Sequence, residues 1–365
     1  MTKRMNHLSR MLAITLAVMM ILTSMNFGMT GGAETAWAAE NVTEINTAAE
    51  FAAMDPTGNY KLTDDIEVTT PYKSSFKGTF DGDGHTITLR LKVTTNSNAG
   101  LFARTDTNAT IQNLIIDADI ESSVASSAYG TGGIVGQVYG ATTIQNCGVQ
   151  GKIHNTATVN TNVYVGGIVG YQQDKLTLSN CCSNAQIISD SAYYASSSSA
   201  TGGLVGRGSS YAIIAENCYM NGEISGNNYV GGIVGYGVSS SSKKHSYTNV
   251  YSTAKVSGNK AYGFMYNSQA ATCELVNCYY NSDSSQGFNA ESTGLQGKTS
   301  AELKQLANEG NGLSGGAFML DAAPEINGGY PILTWQYIDP DEPHTVTFHI
   351  TPTNSVLIWN DKDRT

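Results

Sequence analysis

A five-residue glycine phrase recurs along this chain and constrains its fold more than any other feature. It reads Gly132-Gly133-Ile134-Val135-Gly136, then Gly166-Gly167-Ile168-Val169-Gly170, Gly202-Gly203-Leu204-Val205-Gly206 and Gly231-Gly232-Ile233-Val234-Gly235. Weaker copies flank these, Ala99-Gly100-Leu101-Phe102-Ala103 before and Tyr262-Gly263-Phe264-Met265-Tyr266 after. The second glycines stand at 100, 133, 167, 203, 232 and 263, with gaps of 33, 34, 36, 29 and 31 residues. Self-similarity at such a period marks stacked units, each too small to bury its own apolar face.

Aligning the copies exposes further columns. An Asn followed by a small apolar residue recurs as Asn113-Leu114, Asn146-Cys147, Asn180-Cys181, Asn217-Cys218, Asn249-Val250 and Asn277-Cys278. Six residues past each apolar member stand Ile120, Ile153, Ile187, Ile224, Val256 and Ser284. Two before that column the residues are small (Ala118, Gly151, Ala185, Gly222, Ala254, Ser282). One before it they are polar (Asp119, Lys152, Gln186, Glu223, Lys255, Asp283). This alternation is the strand period of two. Each unit thus offers three short strands, which pair with their equivalents one turn away. The predicted fold is all-β, a right-handed parallel β-solenoid with short helical caps. Six turns at about 4.8 Å each would extend on the order of 30 Å. Gly133, Gly167, Gly203 and Gly232 are read as corner residues, where positive φ or crowding requires glycine. Asn146, Asn180, Asn217 and Asn277 are read as structural repeat positions. The glycine phrase is not a phosphate loop, because no Gly-x-x-x-x-Gly-Lys-Ser/Thr pattern occurs.

Five segments follow from the punctuation of the chain. Residues 1–38 read as a secretory signal: Lys3, Arg4 and Arg10 lead an apolar stretch from Met11 to Thr23, and Ala36-Trp37-Ala38 offers a cleavage site. Residues 39–98 are expected to hold a cap helix, with a capping box at Thr47–Glu50, followed by lead-in strands. The Asp-Gly pairs at Asp81 to Gly84 read as turns rather than calcium ligands, since no EF-hand spacing follows. Residues 99–284 are the solenoid and 285–337 a C-terminal cap, opened by a second capping box at Thr299–Glu302 and closing the last edge. Residues 338–365 are expected to be a Pro-rich acidic linker and the start of a truncated second β domain.

Little chemistry is encoded in motifs. The chain has a net charge of −10. Without the leader, 17 basic residues face 29 acidic ones, with no basic cluster, which argues against a nucleic-acid partner. No stretch after the leader is long and apolar enough for a transmembrane helix. Neither a His-Glu-x-x-His motif nor a Cys-x-x-Cys pair nor a Gly-x-Ser-x-Gly elbow occurs, so no metal, cofactor or catalytic residue is assigned. Four of the six cysteines share a column with Leu114 and Val250, and a small buried apolar role fits them better than disulfides. Cys182 and Cys273 lie off the column and stay undecided. The longest links, Glu121 to Thr131, His154 to Val165 and Ile188 to Thr201, should emerge along one edge. They carry Tyr129, Tyr164, Tyr193 and Tyr194, a candidate binding edge for a glycan or an extracellular protein. Tolerated, variable loops covering the coil are the plainer reading.

These residues resemble a known family. Gly-Gly-Ile-Val-Gly followed by Ile-x-Asn-Cys and Gly-x-Ile is similar to the GLUG-motif repeat of bacterial surface and secreted proteins. The flanks agree, Phe80-Asp81-Gly82-Asp83-Gly84-His85-Thr86-Ile87 as lead-in and Gly329-Tyr330-Pro331-Ile332-Leu333-Thr334-Trp335 as exit. The resemblance covers roughly residues 43 to 336. It implies a bacterial, secreted or cell-surface β-solenoid and carries no catalytic residues to transfer. The expected function is a non-enzymatic adhesin or interaction scaffold. A carbohydrate-active enzyme on a β-helix and a passive spacer are the alternatives.

Overall fold

The computed structural model describes residues 42–337 apart from 96, 159–160, 193–197, 239–242, 268–272, 288–292, 315 and 323–325. The expected leader and the expected linker and second β domain lie outside the described residues. The fold is a parallel β-solenoid built from three stacks of strands. One sheet has 17 strands, a second has seven and a third five, and the strand pairs described within all three are parallel.

One turn shows the plan. Val135–Val138 lies in the seven-stranded sheet and Thr142–Asn155 in the 17-stranded sheet, after which Tyr164–Gly166 joins the five-stranded sheet. The next glycine phrase then returns the chain to the seven-stranded sheet at Val169–Gln172. Apolar residues fall in columns because every turn repeats the same inward positions. Phe102, Val135, Val169, Val205, Val234 and Met265 pair in series, and all are fully buried. The isoleucine column is buried from Ile120 to Val256, but Ser284 is an exposed turn residue and does not continue it.

The corner at each Asn is where a special backbone is needed. Asn113, Asn146, Asn180, Asn217, Asn249 and Asn277 all have φ between 50° and 54°. Asn tolerates the left-handed region better than other residues with a side chain. Their amides form a ladder. Asn146 donates to Asn113 (2.9 Å), Asn180 to Asn146 (3.1 Å), Asn217 to Asn180 (3.1 Å), Asn249 to Asn217 (3.0 Å) and Asn277 to Asn249 (3.1 Å). Asp81 terminates it by accepting from Asn113 at 3.0 Å. The Asp-Gly turn thus finishes the ladder.

The repeat glycines work by crowding. Gly133, Gly167, Gly203 and Gly232 have no positive φ. A Cβ on Gly167 would lie 2.1 Å from the Gly203 carbonyl oxygen and 2.4 Å from Ser183 Oγ. The outer glycines let two sheets touch backbone to backbone: a Cβ on Gly132 would lie 2.3 Å from Val135 O and 2.6 Å from Gly170 N. The phrase therefore folds the five- and seven-stranded sheets into a tight arch, a closer approach than a simple corner.

The flanks differ from expectation in two ways. Parallel pairing extends well before residue 99: Val42–Ile45 pairs with Asn59–Leu62, which pairs with Thr79–Asp81, which pairs with Ala109–Ser122. The lead-in strands are therefore part of the coil. The helix Ala48–Ala52 plugs its interior, placing Phe51 5.7 Å from Phe80 and Phe102 and 5.9 Å from Tyr72. Thr47 caps this helix as expected, accepting from the Glu50 N–H (3.2 Å), while the Glu50 carboxylate reaches one residue further back, to the Asn46 N–H (2.9 Å). The second helix, Ser300–Leu303, has the complete capping box at Thr299 and Glu302.

The C-terminal segment also departs from the expected edge cap. It folds back as a strap along the flank of the 17-stranded sheet, over an outward column in which Cys182 pairs with Tyr219, Tyr219 with Tyr251 and Tyr251 with Tyr279. Leu303, Leu306, Leu313, Phe318 and Leu333 make a second apolar core there. Trp335 donates its indole N–H to Asn180 O (2.9 Å), and Gln336 donates to the Tyr219 hydroxyl (2.9 Å). Hydroxyls on this column made it hard to recognise as core, yet those of Tyr219 and Tyr251 find partners in the strap, Gln336 and the Pro331 carbonyl.

Candidate functional site

Behind the strap lies a cleft of about 580 Å³. Its floor is made by two outward columns of the 17-stranded sheet, Asn184, Asn221 and Thr253 in one and Gln186, Glu223 and Lys255 in the other, with Gly151 and Gly222 between them. Gly328 and Tyr330 of the strap form the opposite wall. The columns exist because each turn repeats its polar positions at the same register, as in Glu223 paired with Lys255. The small residues between them keep the floor open.

Hydrogen bonds fix one side of the cleft. The Asn327 carbonyl oxygen accepts from Asn221 (2.7 Å) and Asn184 (3.4 Å), while its amide donates to the Tyr251 hydroxyl (2.8 Å). Thr253 donates to the Asn221 carbonyl oxygen (2.8 Å). Glu223 lies 3.6 Å from Lys255, with both side chains more than half exposed. Lys304 sits 5.2 Å from the centre of the Tyr330 ring. The result is a concave surface of amides, hydroxyls, one carboxylate, one ammonium and one aromatic ring. It suits a polyhydroxylated ligand of small-molecule size. Glu223 is the single carboxylate among the lining residues, whereas glycoside cleavage ordinarily employs two.

A second surface follows the open mouth of the arch. Tyr171, Arg207, Tyr236 and Tyr266 align in the seven-stranded sheet, facing Tyr164, Ala200, Tyr229 and Lys260 of the five-stranded one. Rings from the two sheets meet at 4.8 Å (Tyr164–Tyr171) and 4.6 Å (Tyr229–Tyr236). The Arg207 guanidinium lies 5.2 Å from the Tyr164 ring centre and 4.8 Å from that of Tyr236. Burial pushes the Tyr164 hydroxyl up to about 12, against the opposing pull of Arg207.

Of the expected tyrosine edge, the two described members, Tyr129 and Tyr164, are packed inward. Tyr164 is only 3% exposed and belongs to the strand Tyr164–Gly166, held inside the arch because its ring packs at 45° against that of Tyr171. Tyr129 packs against the core from its loop. Tyr193 and Tyr194 lie outside the described residues. The links are tied to one another, as where His154 Nε2 meets Asp190 Oδ2 at 2.8 Å. The cleft residues were missed because their columns read as a solvated face. The available signal was the small column beside them, together with the Gly-Tyr-Pro exit segment that returns over it.

The cysteine column faces the interior. Cys147, Cys181, Cys218 and Cys278 are its buried thiols, whereas Cys182, on the outward column, is buried beneath the strap. Burial raises the pKa of Cys147 and Cys218 well above the usual thiol value and that of Cys278 to about 12. Such thiols are inert fillers rather than nucleophiles. Among the described residues no group of three or more His, Cys, Asp or Glu is arranged to hold a metal ion, and no helix is long and apolar enough to cross a membrane.

Comparison with known proteins supports the fold. No family model matches the chain. A stretch of 157 residues, 36% of the chain, is 29% identical to halomucin of Haloquadratum walsbyi. The match covers 2% of halomucin's length. A crystal structure from Bacteroides ovatus, described as that of a "putative immunoglobulin A1 protease", superposes with a TM-score of 0.57. It shares 21% identity, and the match covers 80% of this chain and 92% of that one. The likeness shows the fold alone.

Proposed function

We propose that this chain is a bacterial, secreted or cell-surface scaffold of the GLUG-repeat type that binds a saccharide and performs no chemistry on it. The observation that carries this reading is the cleft between the strap and the polar columns, whose size and amide and hydroxyl lining suit a sugar. A lone Glu223 beside Lys255 supports binding over hydrolysis. The likeness to halomucin, by its name a mucin, and the repeat motifs favour an extracellular setting.

A glycan array probed with residues 39–365, followed by titration calorimetry of the best ligand, tests the reading. Tyr330→Ala and Glu223→Gln should each weaken binding at least tenfold while leaving the circular dichroism unchanged. Release of new reducing ends from the bound glycan would overturn the non-enzymatic assignment. Binding unaffected by both substitutions would overturn the site.

A further inference from the structure

We propose that the mouth of the arch is a second binding surface, a track for an acidic polysaccharide with Arg207 as its anchor. Two observations point there independently of the cleft. The first is the state of Arg207. It is half-buried, and its Nε and Nη1 have no hydrogen-bond acceptor. No carboxylate pairs with it among the described residues, although the chain as a whole is acidic. Other cations of the coil have neighbouring acids, as in Arg90–Asp117 (2.8 Å), Lys92–Glu121 (3.1 Å), Lys244–Glu274 (3.0 Å) and Arg104–Asp106 (4.0 Å). A guanidinium kept away from acids but flanked by Tyr164 and Tyr236 retains its positive field for an outside anion. The rings also hold it in place, so little side-chain freedom is lost on binding.

The second observation is the geometry of the row. Tyr171, Arg207, Tyr236 and Tyr266 pair in series on consecutive turns, about 4.8 Å apart, with a register shift between Val234 and Tyr236 that still sets Tyr236 beside Tyr266. Tyr236 and Tyr266 are stacked 5.4 Å apart at 18°. Beside them Lys260 donates to the Tyr229 hydroxyl (3.1 Å) and lies 4.4 Å from that ring's centre. Arg104 stands two turns before Tyr171 in the same row, 3.6 Å from the centre of the Tyr139 ring, but it is paired with Asp106 at 4.0 Å, which leaves Arg207 as the guanidinium of the row without a carboxylate. A row of packed tyrosines interrupted by a guanidinium matches a linear polymer that carries hydroxyls and carboxylates. The stacked rings turn edges and hydroxyls outward to meet the sugars' hydroxyls, and the cation pairs with the acids.

The experiment is affinity electrophoresis of residues 39–365 in gels containing polygalacturonate, neutral dextran or polyglutamate. Polygalacturonate should retard the protein, dextran should not, and retardation should fall as salt rises from 50 to roughly 500 mM because ion pairing is screened. Arg207→Gln should weaken retardation at least tenfold, with Arg207→Lys intermediate and folding normally because it keeps the charge. Neither change should alter saccharide binding in the cleft, and Glu223→Gln should leave polygalacturonate binding intact. Equal retardation of wild type, Arg207→Lys and Arg207→Gln would overturn the proposal. So would equal retardation by dextran, or retardation by polyglutamate as strong as by polygalacturonate, which would reassign the surface to acidic peptides.

Discussion

At the scale of single residues, the Asn ladder shows how one side chain meets two demands. Asn180 holds φ at 51° and both donates and accepts within the ladder. Asn180→Ala loses both bonds and keeps the strained backbone, which should cost roughly 2–4 kcal/mol. Asn180→Gly removes the backbone strain and should cost about half as much. Urea unfolding midpoints of the two variants distinguish these contributions. His245 makes a different point. It is fully buried, accepts from the Ile213 N–H at Nδ1 (3.0 Å), and burial lowers its pKa to about 4. The unfolded chain takes up a proton near pH 6.5, but the folded chain does so only near pH 4. Stability present above pH 6.5 is therefore lost as pH falls towards 4, by roughly 3 kcal/mol at this site. His245→Gln should flatten that part of the stability–pH curve measured by denaturant titration.

At the scale of elements, glycines of identical chemistry have opposite sensitivities. A Cβ on Gly148 would meet Cys182 Sγ at 3.4 Å and Trp335 Cη2 at 3.5 Å, both ordinary contacts. Gly148→Ala should shift the melting temperature little. Gly167→Ala drives a methyl group into the Gly203 carbonyl oxygen across the stacked arch, where no side chain can move aside, and should prevent cooperative folding. Circular dichroism melts of the two variants provide the check. The capping boxes were legible because their bonds lie within four residues, as at Thr299 and Glu302. The strap was not, because it depends on contacts such as Trp335 to Asn180, 155 residues apart in sequence.

At the scale of the whole described molecule, each turn contacts chiefly its two neighbours, so turns should be removable. Excision of residues 133–166 joins Gly132 to Gly167 without a change of register, because Gly132 occupies the position of Gly166 one turn away. The shortened chain should keep its β-rich circular dichroism and cooperative unfolding with a lower melting temperature, since stability adds along the stack. It should also lose the seat of the indole, because Ile115 would replace Gly148 beside Cys182. A chain that failed to fold would show that the strap, rather than neighbouring turns, sets the register.

The sequence by itself determined the coil. A fixed period and inward columns leave stacked strands as the arrangement that buries every copy of Ile168 and Cys181, and those columns are visible without coordinates. It also marked the repeat glycines and asparagines as structural. The assignment of positive φ to the asparagines, and of crowding to the glycines, was decided only by the close approach of neighbouring turns. The surfaces available for binding were likewise tertiary. Tyr164, conspicuous in the sequence, is enclosed by Tyr171 and Arg207, whereas Asn221, Glu223 and Tyr330 gain their meaning only when the strap returns across the columns. Repetition encodes contacts between equivalent residues. A single, non-repeated segment has no equivalent in the array, so its docking place leaves no period to be read.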